Sequence, residues 1–205
     1  MKTILCFGDS NTYGYIPGTG DRYSEDLRWT GILANNLKDS GYRVIEEGLV
    51  GRTSIFPDQL RPGRRGIDYL PVALESHFPL DKVILMLGTN DCKTVYNASA
   101  EVIGKGVEKL INQIRDLDET IDILLLSPIH LGERVWEEEF DPEFNQISVE
   151  TSQKLKGVYQ KIAEKYGCSF LAASDVAQPS EVDQEHLTKE GHAALAKAIT
   201  EKLAG

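Results

Sequence analysis

Residues 82–91 read KVILMLGTND, and this stretch decides the fold. Its first six residues are almost entirely apolar and have the length of a β-strand. A strand that is apolar at consecutive positions is typical of a parallel sheet covered by helices on both faces. The apolar run stops at Gly88, and polar residues follow. The stretch therefore predicts a buried parallel strand with polar groups at its carboxyl end.

Segments of strand length and helix length alternate along the rest of the chain. Four further strands are predicted, at residues 3–7, 43–47, 122–127 and 169–172. Apolar residues at helical spacing predict helices over residues 27–38, 67–77, 99–117, 147–166 and 188–203, the last with Thr188 placed as its cap. This alternation predicts an α/β fold with a parallel sheet between two helical layers. The sequence has no repeat or clear linker, so residues 1–205 are predicted to form one domain.

The composition is ordinary for a soluble globular domain, and its acidic balance excludes some classes of partner. The formal net charge is −10, which argues against a nucleic-acid partner or an anionic membrane surface. No apolar segment approaches the roughly 18 residues of a membrane helix, and the N-terminus does not read as a signal peptide. Three widely separated cysteines, Cys6, Cys92 and Cys168, suit the reducing cytoplasm and predict neither a disulfide framework nor a metal site.

Polar or glycine-rich groups follow three predicted strands directly, and a fourth lies beyond the last strand. They are Gly-Asp-Ser at 8–10, a glycine-containing stretch at 47–53, Gly-Thr-Asn-Asp at 88–91 and Asp-Gln-Glu-His at 183–186. Ligands of open α/β sheets bind beyond the carboxyl ends of the strands, where the strand order reverses. The four groups are therefore predicted to meet at one edge of the sheet.

These groups supply the parts of a serine nucleophile site. Ser10 needs a base to take its proton, and His186 can act as that base while Asp183 orients the imidazole. The backbone N–H groups of Ser10 and Gly51 and the side-chain amide of Asn90 can stabilise an oxyanion. Each motif alone is more often a turn or a loop, and it is the four in order that favour catalysis.

The four blocks resemble those of the SGNH (GDSL-type) hydrolases, which are named for Ser, Gly, Asn and His. Here these residues are Ser10, Gly51, Asn90 and His186, and the resemblance covers nearly the whole chain. The first block departs from the pattern, since Asn11 stands where the motif has leucine. Within the family, four stretches of the chain resemble the arylesterase/acyltransferase branch. They are DLRWTGILA at 26–34, VIEEGLVGRTS at 44–54, FPLDKVILMLGTND at 78–91 and the Asp-x-x-His motif.

The resemblance implies a fold and an activity. The implied fold is a three-layer α/β/α sandwich with a five-stranded parallel sheet, of flavodoxin-like type. The implied activity is hydrolysis of small aryl or acetyl esters through an acyl-enzyme, with acyl transfer to alcohols in competition. The branch also implies a possible homo-oligomer that narrows the mouth of the pocket. No cofactor and no metal are expected, because no His, Asp or Glu cluster has the spacing of metal ligands.

Four residues near the predicted site are candidates for substrate binding: Asp9, Tyr13, His130 and Trp136. Tyr13 and Tyr15 can form one wall of the pocket together or pack in the core, and Asp9 can instead stabilise its own turn. Trp136 lies in a long connection, residues 128–145, which can be a lid, a pocket wall or a subunit contact. Asp91 is the rival of Asp183 as the orienting acid. The run 61–66 can hold an anionic group or form a solvated loop.

Other functions stay open on the sequence alone. Within the enzyme class these are a carbohydrate O-acetylesterase, a thioesterase and a lysophospholipase, since loop residues decide the substrate. Outside it, an α/β module could bind a small ligand without catalysis. That alternative has little support, because the chain has no dinucleotide-binding Gly-x-Gly-x-x-Gly motif and no Walker loop.

Overall fold

The computed structural model describes residues 1–204 and contains a five-stranded sheet with helices on both faces. The strands are β1 (Lys2–Gly8), β2 (Tyr42–Gly48), β3 (Lys82–Met86), β4 (Asp122–Ser127) and β5 (Ser169–Ala172). The helices are α1 (Ser10–Tyr13), α2 (Trp29–Leu37), α3 (Gly66–His77), α4 (Ala100–Leu117), α5 (Gln146–Tyr166) and α6 (Lys189–Ala204). The predicted strands and long helices are confirmed to within two residues at each end, whereas α1 was not predicted.

The strand order places a topological switch point beside β1. All neighbouring strands are parallel, in the order β2-β1-β3-β4-β5. The chain therefore leaves β1 toward one side of the sheet to form β2, and it crosses to the other side for β3. The crevice at such a reversal lies beyond the carboxyl ends of the strands. The predicted α/β fold is confirmed, and its site is expected beyond β1 and β3.

The sheet is buried on both faces, as the apolar run at 83–87 predicts. Val83 and Leu85 of β3 join a core cluster that includes residues of α3, α4 and α5. Ile84 and Met86 join a second cluster on the opposite face, which includes residues of α2 and α6. The strands β1 and β4 alternate between the clusters in the same way. Apolar burial on two faces fixes the strand register, because a slip of one residue would exchange the two faces.

The longest helices present one apolar face to this core. Helix α4 has 18 residues, and it buries Ile103, Val107 and Leu110 while Lys105 and Lys109 are exposed. Helix α5 has 21 residues and likewise combines buried and exposed side chains. Within residues 1–204, no helix is both long enough and apolar enough to cross a membrane.

The start of α5 is stabilised by a reciprocal pair of side chains. Asn145 Oδ1 accepts a hydrogen bond from Ser148 N at 2.9 Å, and Ser148 Oγ accepts one from Asn145 N at 3.1 Å. Such a capping box satisfies two backbone donors that have no partner inside the helix. It also fixes the point at which the 128–145 connection enters the helix.

The substitution Asn145→Ala is expected to lower the free energy of unfolding by about 1 kcal/mol, because it removes the cap. Urea denaturation followed by circular dichroism measures this change. The matched control is Asn35→Ala on the exposed face of α2, where no cap is lost. Equal stability of the two variants would contradict the role given to Asn145.

Candidate active site

Ser10 lies at the turn where β1 ends and α1 begins. Asp9 is the N-cap of α1, and its Oδ1 accepts a hydrogen bond from Asn11 N at 3.0 Å. Gly8 is required at the strand end, because a Cβ there would lie 2.0 Å from Thr12 Oγ1. The helix ends after four residues at Gly14, which has a left-handed backbone. The turn therefore fixes Ser10 at the carboxyl edge of the sheet, with only 1% of its surface exposed.

The structure brings Ser10, His186 and Asp183 into one hydrogen-bonded chain. His186 Nε2 lies 2.9 Å from Ser10 Oγ, and His186 Nδ1 lies 2.8 Å from Asp183 Oδ2. The Asp183 carboxylate can only accept hydrogen bonds, so it favours the His186 tautomer that carries its proton on Nδ1. Nε2 is then free to accept from the Ser10 hydroxyl. This is the geometry in which a histidine acts as the base for a serine.

The turn at residues 183–186 positions the His186 ring so that it can bond both Asp183 and Ser10. Gln184 adopts a left-handed backbone, with φ of 61°, a conformation that is uncommon outside glycine. In that turn Asp183 Oδ1 accepts hydrogen bonds from Glu185 N at 3.1 Å and His186 N at 3.0 Å. Burial alone would raise the pKa of Asp183, but these bonds and His186 hold it below its ordinary value. The carboxylate is therefore charged and fixed.

Three donors that could bind an oxyanion lie in the loops beyond β1, β2 and β3. Gly51 has a φ of 79°, and a Cβ there would also lie 3.2 Å from the Arg61 guanidinium, so glycine is required. Asn90 Nδ2 donates to Arg52 O at 3.1 Å, which leaves one amide hydrogen unused. The backbone N–H groups of Ser10 and Gly51 donate to no other residue within 1–204.

Asp91 ties two of these loops together. Ser54 N donates to both carboxylate oxygens of Asp91, at 2.9 and 3.0 Å, and Ser54 Oγ donates to it as well. Burial raises the pKa of Asp91 to about 6. The carboxylate that bonds His186 is Asp183. Asp91 instead holds a loop in place through its hydrogen bonds with Ser54.

A second carboxylate, Glu185, lies beside the histidine and was missed in the sequence. Its Oε2 is 4.0 Å from His186 Nδ1, and its carboxylate accepts no hydrogen bond from residues 1–204. Burial raises the pKa of Glu185 above its ordinary value. Its position inside the Asp-x-x-His motif was the available signal, because adjacent residues in a tight turn can face one site.

The electrostatic surroundings raise the pKa of His186. Burial of the imidazole lowers it, but neighbouring carboxylates outweigh burial, with Glu185 the largest and Asp183 and Asp9 behind it. The ring is also covered by Tyr15, whose ring centroid is 4.3 Å away. The imidazolium form that a base reaches after taking a proton is therefore stabilised in this site.

The connection at residues 128–145 packs as a wall on its own chain. Leu131, Val135 and Phe144 are buried in the core. Its Gly132 N donates to Gln184 O at 2.7 Å, which supports the turn that carries the histidine. At its far end, Glu143 pairs with Lys93 at 2.5 Å and with Arg61 at 3.2 Å. The wall thus joins the histidine turn to the loops that follow β2 and β3.

The four predicted substrate-binding residues do not gather at the histidine. Asp9 is buried in the nucleophile turn, as described above. Tyr13 contacts the Arg22 guanidinium, whereas Tyr15 lies against the His186 ring. His130 is half-buried, and burial lowers its pKa, with a smaller contribution from Lys156. Trp136 is 42% exposed and lines a separate recess of about 390 Å³ with residues of α5.

A further buried histidine and the three cysteines lie apart from this chemistry. His192 is buried, accepts a hydrogen bond from Trp29 N at 3.3 Å, and has its pKa lowered to about 4 by burial. Cys6 and Cys92 are buried free thiols, and Cys168 is partly buried. Within the described residues 1–204, no three His, Cys, Asp or Glu side chains are grouped as metal ligands.

Comparison with known proteins identifies relatives of the chain. The model of the GDSL-like lipase/acylhydrolase family matches residues 6–194. Three similar solved structures are the carbohydrate acetylesterase Est24 from Sinorhizobium meliloti (37% identity, TM-score 0.89), the aryl esterase of M. smegmatis (32%, 0.87) and a putative arylesterase from Agrobacterium tumefaciens str. C58 (35%, 0.89). Each alignment covers 100% of this chain and 99% of the other. A search of curated proteins gave no match.

The buried Asp9 predicts a pH-dependent effect on stability. Burial raises its pKa from 3.8 to about 7, so the folded protein holds a proton that the unfolded chain releases between those values. Stability from this group is therefore present at low pH and is lost as pH rises toward 7. Asp9→Asn keeps an acceptor for Asn11 N and removes the titration.

The free energy of unfolding of Asp9→Asn minus that of the wild type is expected to increase by roughly 4 kcal/mol from pH 4 to pH 8. Urea denaturation of both proteins at the two pH values measures this difference. A difference that stays constant with pH would contradict the raised pKa.

Proposed function

Because the chain belongs to the GDSL-like lipase/acylhydrolase family, we propose that Ser10 is the nucleophile of this esterase. The protein is a carboxylic ester hydrolase of the SGNH type, with aryl esterases and carbohydrate acetylesterases as structural relatives. One observation carries the proposal, namely the hydrogen-bonded chain from Ser10 through His186 to Asp183. A serine hydroxyl becomes a useful nucleophile only when such a base takes its proton.

In the proposed mechanism, His186 Nε2 removes the proton of Ser10 as Oγ attacks the ester carbonyl. The N–H groups of Ser10 and Gly51 and the amide of Asn90 bind the oxyanion that develops. The protonated His186 then gives its proton to the leaving alcohol, and an acyl-enzyme remains. Water, deprotonated by the same nitrogen, releases the acid. Asp183 holds the imidazole in the required tautomer throughout.

The preferred substrates in this proposal are small aryl or acetyl esters. The similar aryl esterase and carbohydrate acetylesterase structures support this preference. An alcohol that enters in place of water would take the acyl group, so acyl transfer is part of the proposal. The domain organisation, the cytoplasmic location and the homo-oligomer remain predictions from the sequence.

A second candidate substrate class is the acetylated carbohydrate, and the charged surroundings of Glu185 favour it. Lys93 and Asp141 lie close enough to Glu185 to influence its pKa, and Lys93 is paired with Glu143. Buried charged groups hydrogen-bond the hydroxyl groups of a sugar and disfavour a lipid tail. Higher kcat/KM on an acetylated methyl glucoside than on p-nitrophenyl acetate would favour this class, and the reverse order would favour the aryl ester.

Replacement of the nucleophile tests the activity directly. The wild type is expected to hydrolyse p-nitrophenyl acetate, and Ser10→Ala is expected to lose at least about 10³-fold in kcat, because the base has no hydroxyl to activate. Initial rates measured at 405 nm give the comparison, with circular dichroism as the control for folding. A folded Ser10→Ala enzyme with the wild-type rate would exclude Ser10 as nucleophile.

The raised pKa of His186 predicts the pH profile. Since only the neutral imidazole accepts a proton, kcat/KM is expected to rise with pH through a pKa above the ordinary value of about 6.5. Glu185→Gln removes the largest single charge contribution to this rise, so its acid limb is expected at lower pH than that of the wild type. Superimposable profiles of the two enzymes would contradict this electrostatic account.

A further inference from the structure

Asn11 is the residue at which this chain departs from the Gly-Asp-Ser-Leu pattern, and its buried side chain makes hydrogen bonds through both its oxygen and its nitrogen. Asn11 Oδ1 accepts from Leu187 N at 2.9 Å. Asn11 Nδ2 donates to Glu185 O at 3.4 Å. The two peptide groups that the amide holds lie on either side of His186, 174 and 176 positions further along the chain.

The backbone of Asn11 is also held by hydrogen bonds. Its carbonyl oxygen accepts a hydrogen bond from Trp29 Nε1 at 3.0 Å, and Trp29 is fully buried. Its backbone N–H donates to the Asp9 cap. These bonds fix the backbone of Asn11 independently of the bonds that its side chain makes to the histidine turn.

We propose that Asn11 is a positioning residue that sets the separation of Ser10 Oγ and His186 Nε2. It follows the nucleophile directly in α1, and its amide grips the peptides on both sides of the base. No other side chain within residues 1–204 bonds α1 to this turn, apart from the Ser10–His186 pair itself. The proposal rests on the proposed roles of Ser10 and His186.

The turn needs such a restraint because its own backbone is unfavourable. Gln184 has a left-handed φ, a conformation that persists only when the surrounding structure holds it. The other bonds to the turn, from Gly132 N to Gln184 O and from Ser180 N to His186 O, anchor it to loops that do not carry the nucleophile. Besides the Ser10–His186 bond itself, only Asn11 side-chain hydrogen bonds connect α1 to this turn within residues 1–204.

A leucine at this position could not make either bond. It would leave the Leu187 N–H and the Glu185 carbonyl without partners in a buried place, and such groups are costly to leave unsatisfied. The turn would then relax away from Ser10. A displacement of about 1 Å between reacting groups can reduce turnover roughly 100-fold.

The experiment compares Asn11→Leu, Asn11→Asp, Asn36→Leu and Ser10→Ala with the wild type on p-nitrophenyl acetate. Asn11→Asp keeps the acceptor for Leu187 N and loses the donor to Glu185 O. Asn36→Leu is the matched control, since Asn36 is exposed on α2 and bonds only Thr200. Values of kcat and KM are taken on the high-pH plateau of each enzyme, well below its melting temperature.

Asn11→Leu is expected to lose about 10- to 100-fold in kcat with KM within about 2-fold of the wild type, and Asn11→Asp to lose less. The control is expected to keep the wild-type kcat. A wild-type kcat in Asn11→Leu, even with a lower melting temperature, would show that Asn11 only stabilises the fold. A loss confined to KM would equally overturn the proposal.

Three further outcomes are decisive. If Asn11→Leu does not fold, Asn11→Asp decides, and a wild-type kcat in that variant overturns the positioning role. If Ser10→Ala keeps the wild-type rate, the proposed nucleophile fails, and the positioning role that depends on it fails with it. If Ser10→Ala is inactive while both Asn11 variants keep the wild-type kcat, only the positioning role is lost.

Discussion

The hydrogen bond between Ser10 Oγ and His186 Nε2 is the interaction on which the rest of the site depends. It joins residues 176 positions apart, so no local structure can provide it. The parallel sheet brings the two ends of the chain to one edge, and the switch point beside β1 opens the crevice there. The Asp9 cap, the Asn11 amide and the Gly132 peptide then remove the remaining freedom.

The same edge of the sheet concentrates charge that is costly to bury. Burial raises the pKa of Asp9 to about 7 and of Asp91 to about 6, and it lowers the pKa of Arg52 to about 10. Desolvation of this kind weakens the folded state. The apolar core on both faces of the sheet supplies the stability that tolerates it. In return, the carboxylates around His186 favour its protonated form, which is the form that follows attack by Ser10.

The fold could be predicted from the sequence because its signal is local. A five-residue apolar run at 83–87 and the alternation around it specify a parallel sheet, and the structure confirms that sheet. The proximity of Ser10, Asp183 and His186 could also be predicted from the sequence, since groups beyond the carboxyl ends of parallel strands lie at one edge of the sheet. Their catalytic role is still a prediction that activity measurements decide.

Other features could not be predicted, because they depend on backbone conformations that the pattern does not specify. The four-residue helix α1 and its left-handed end at Gly14 decide that Tyr15, and not Tyr13, covers His186. The left-handed Gln184 decides that Glu185 lies beside the imidazole. The sequence shows Asn11 as a departure from a motif, but only the structure shows the two peptides that it binds.

The most direct test of an activated Ser10 is labelling with a fluorophosphonate, followed by intact-mass measurement and peptide mapping. Such a probe reacts with a serine whose proton a base can take. The account predicts one adduct per chain, located on the peptide that contains Ser10, and none on the folded Ser10→Ala variant. An adduct on another residue, or no adduct on a folded wild type that hydrolyses p-nitrophenyl acetate, would contradict it.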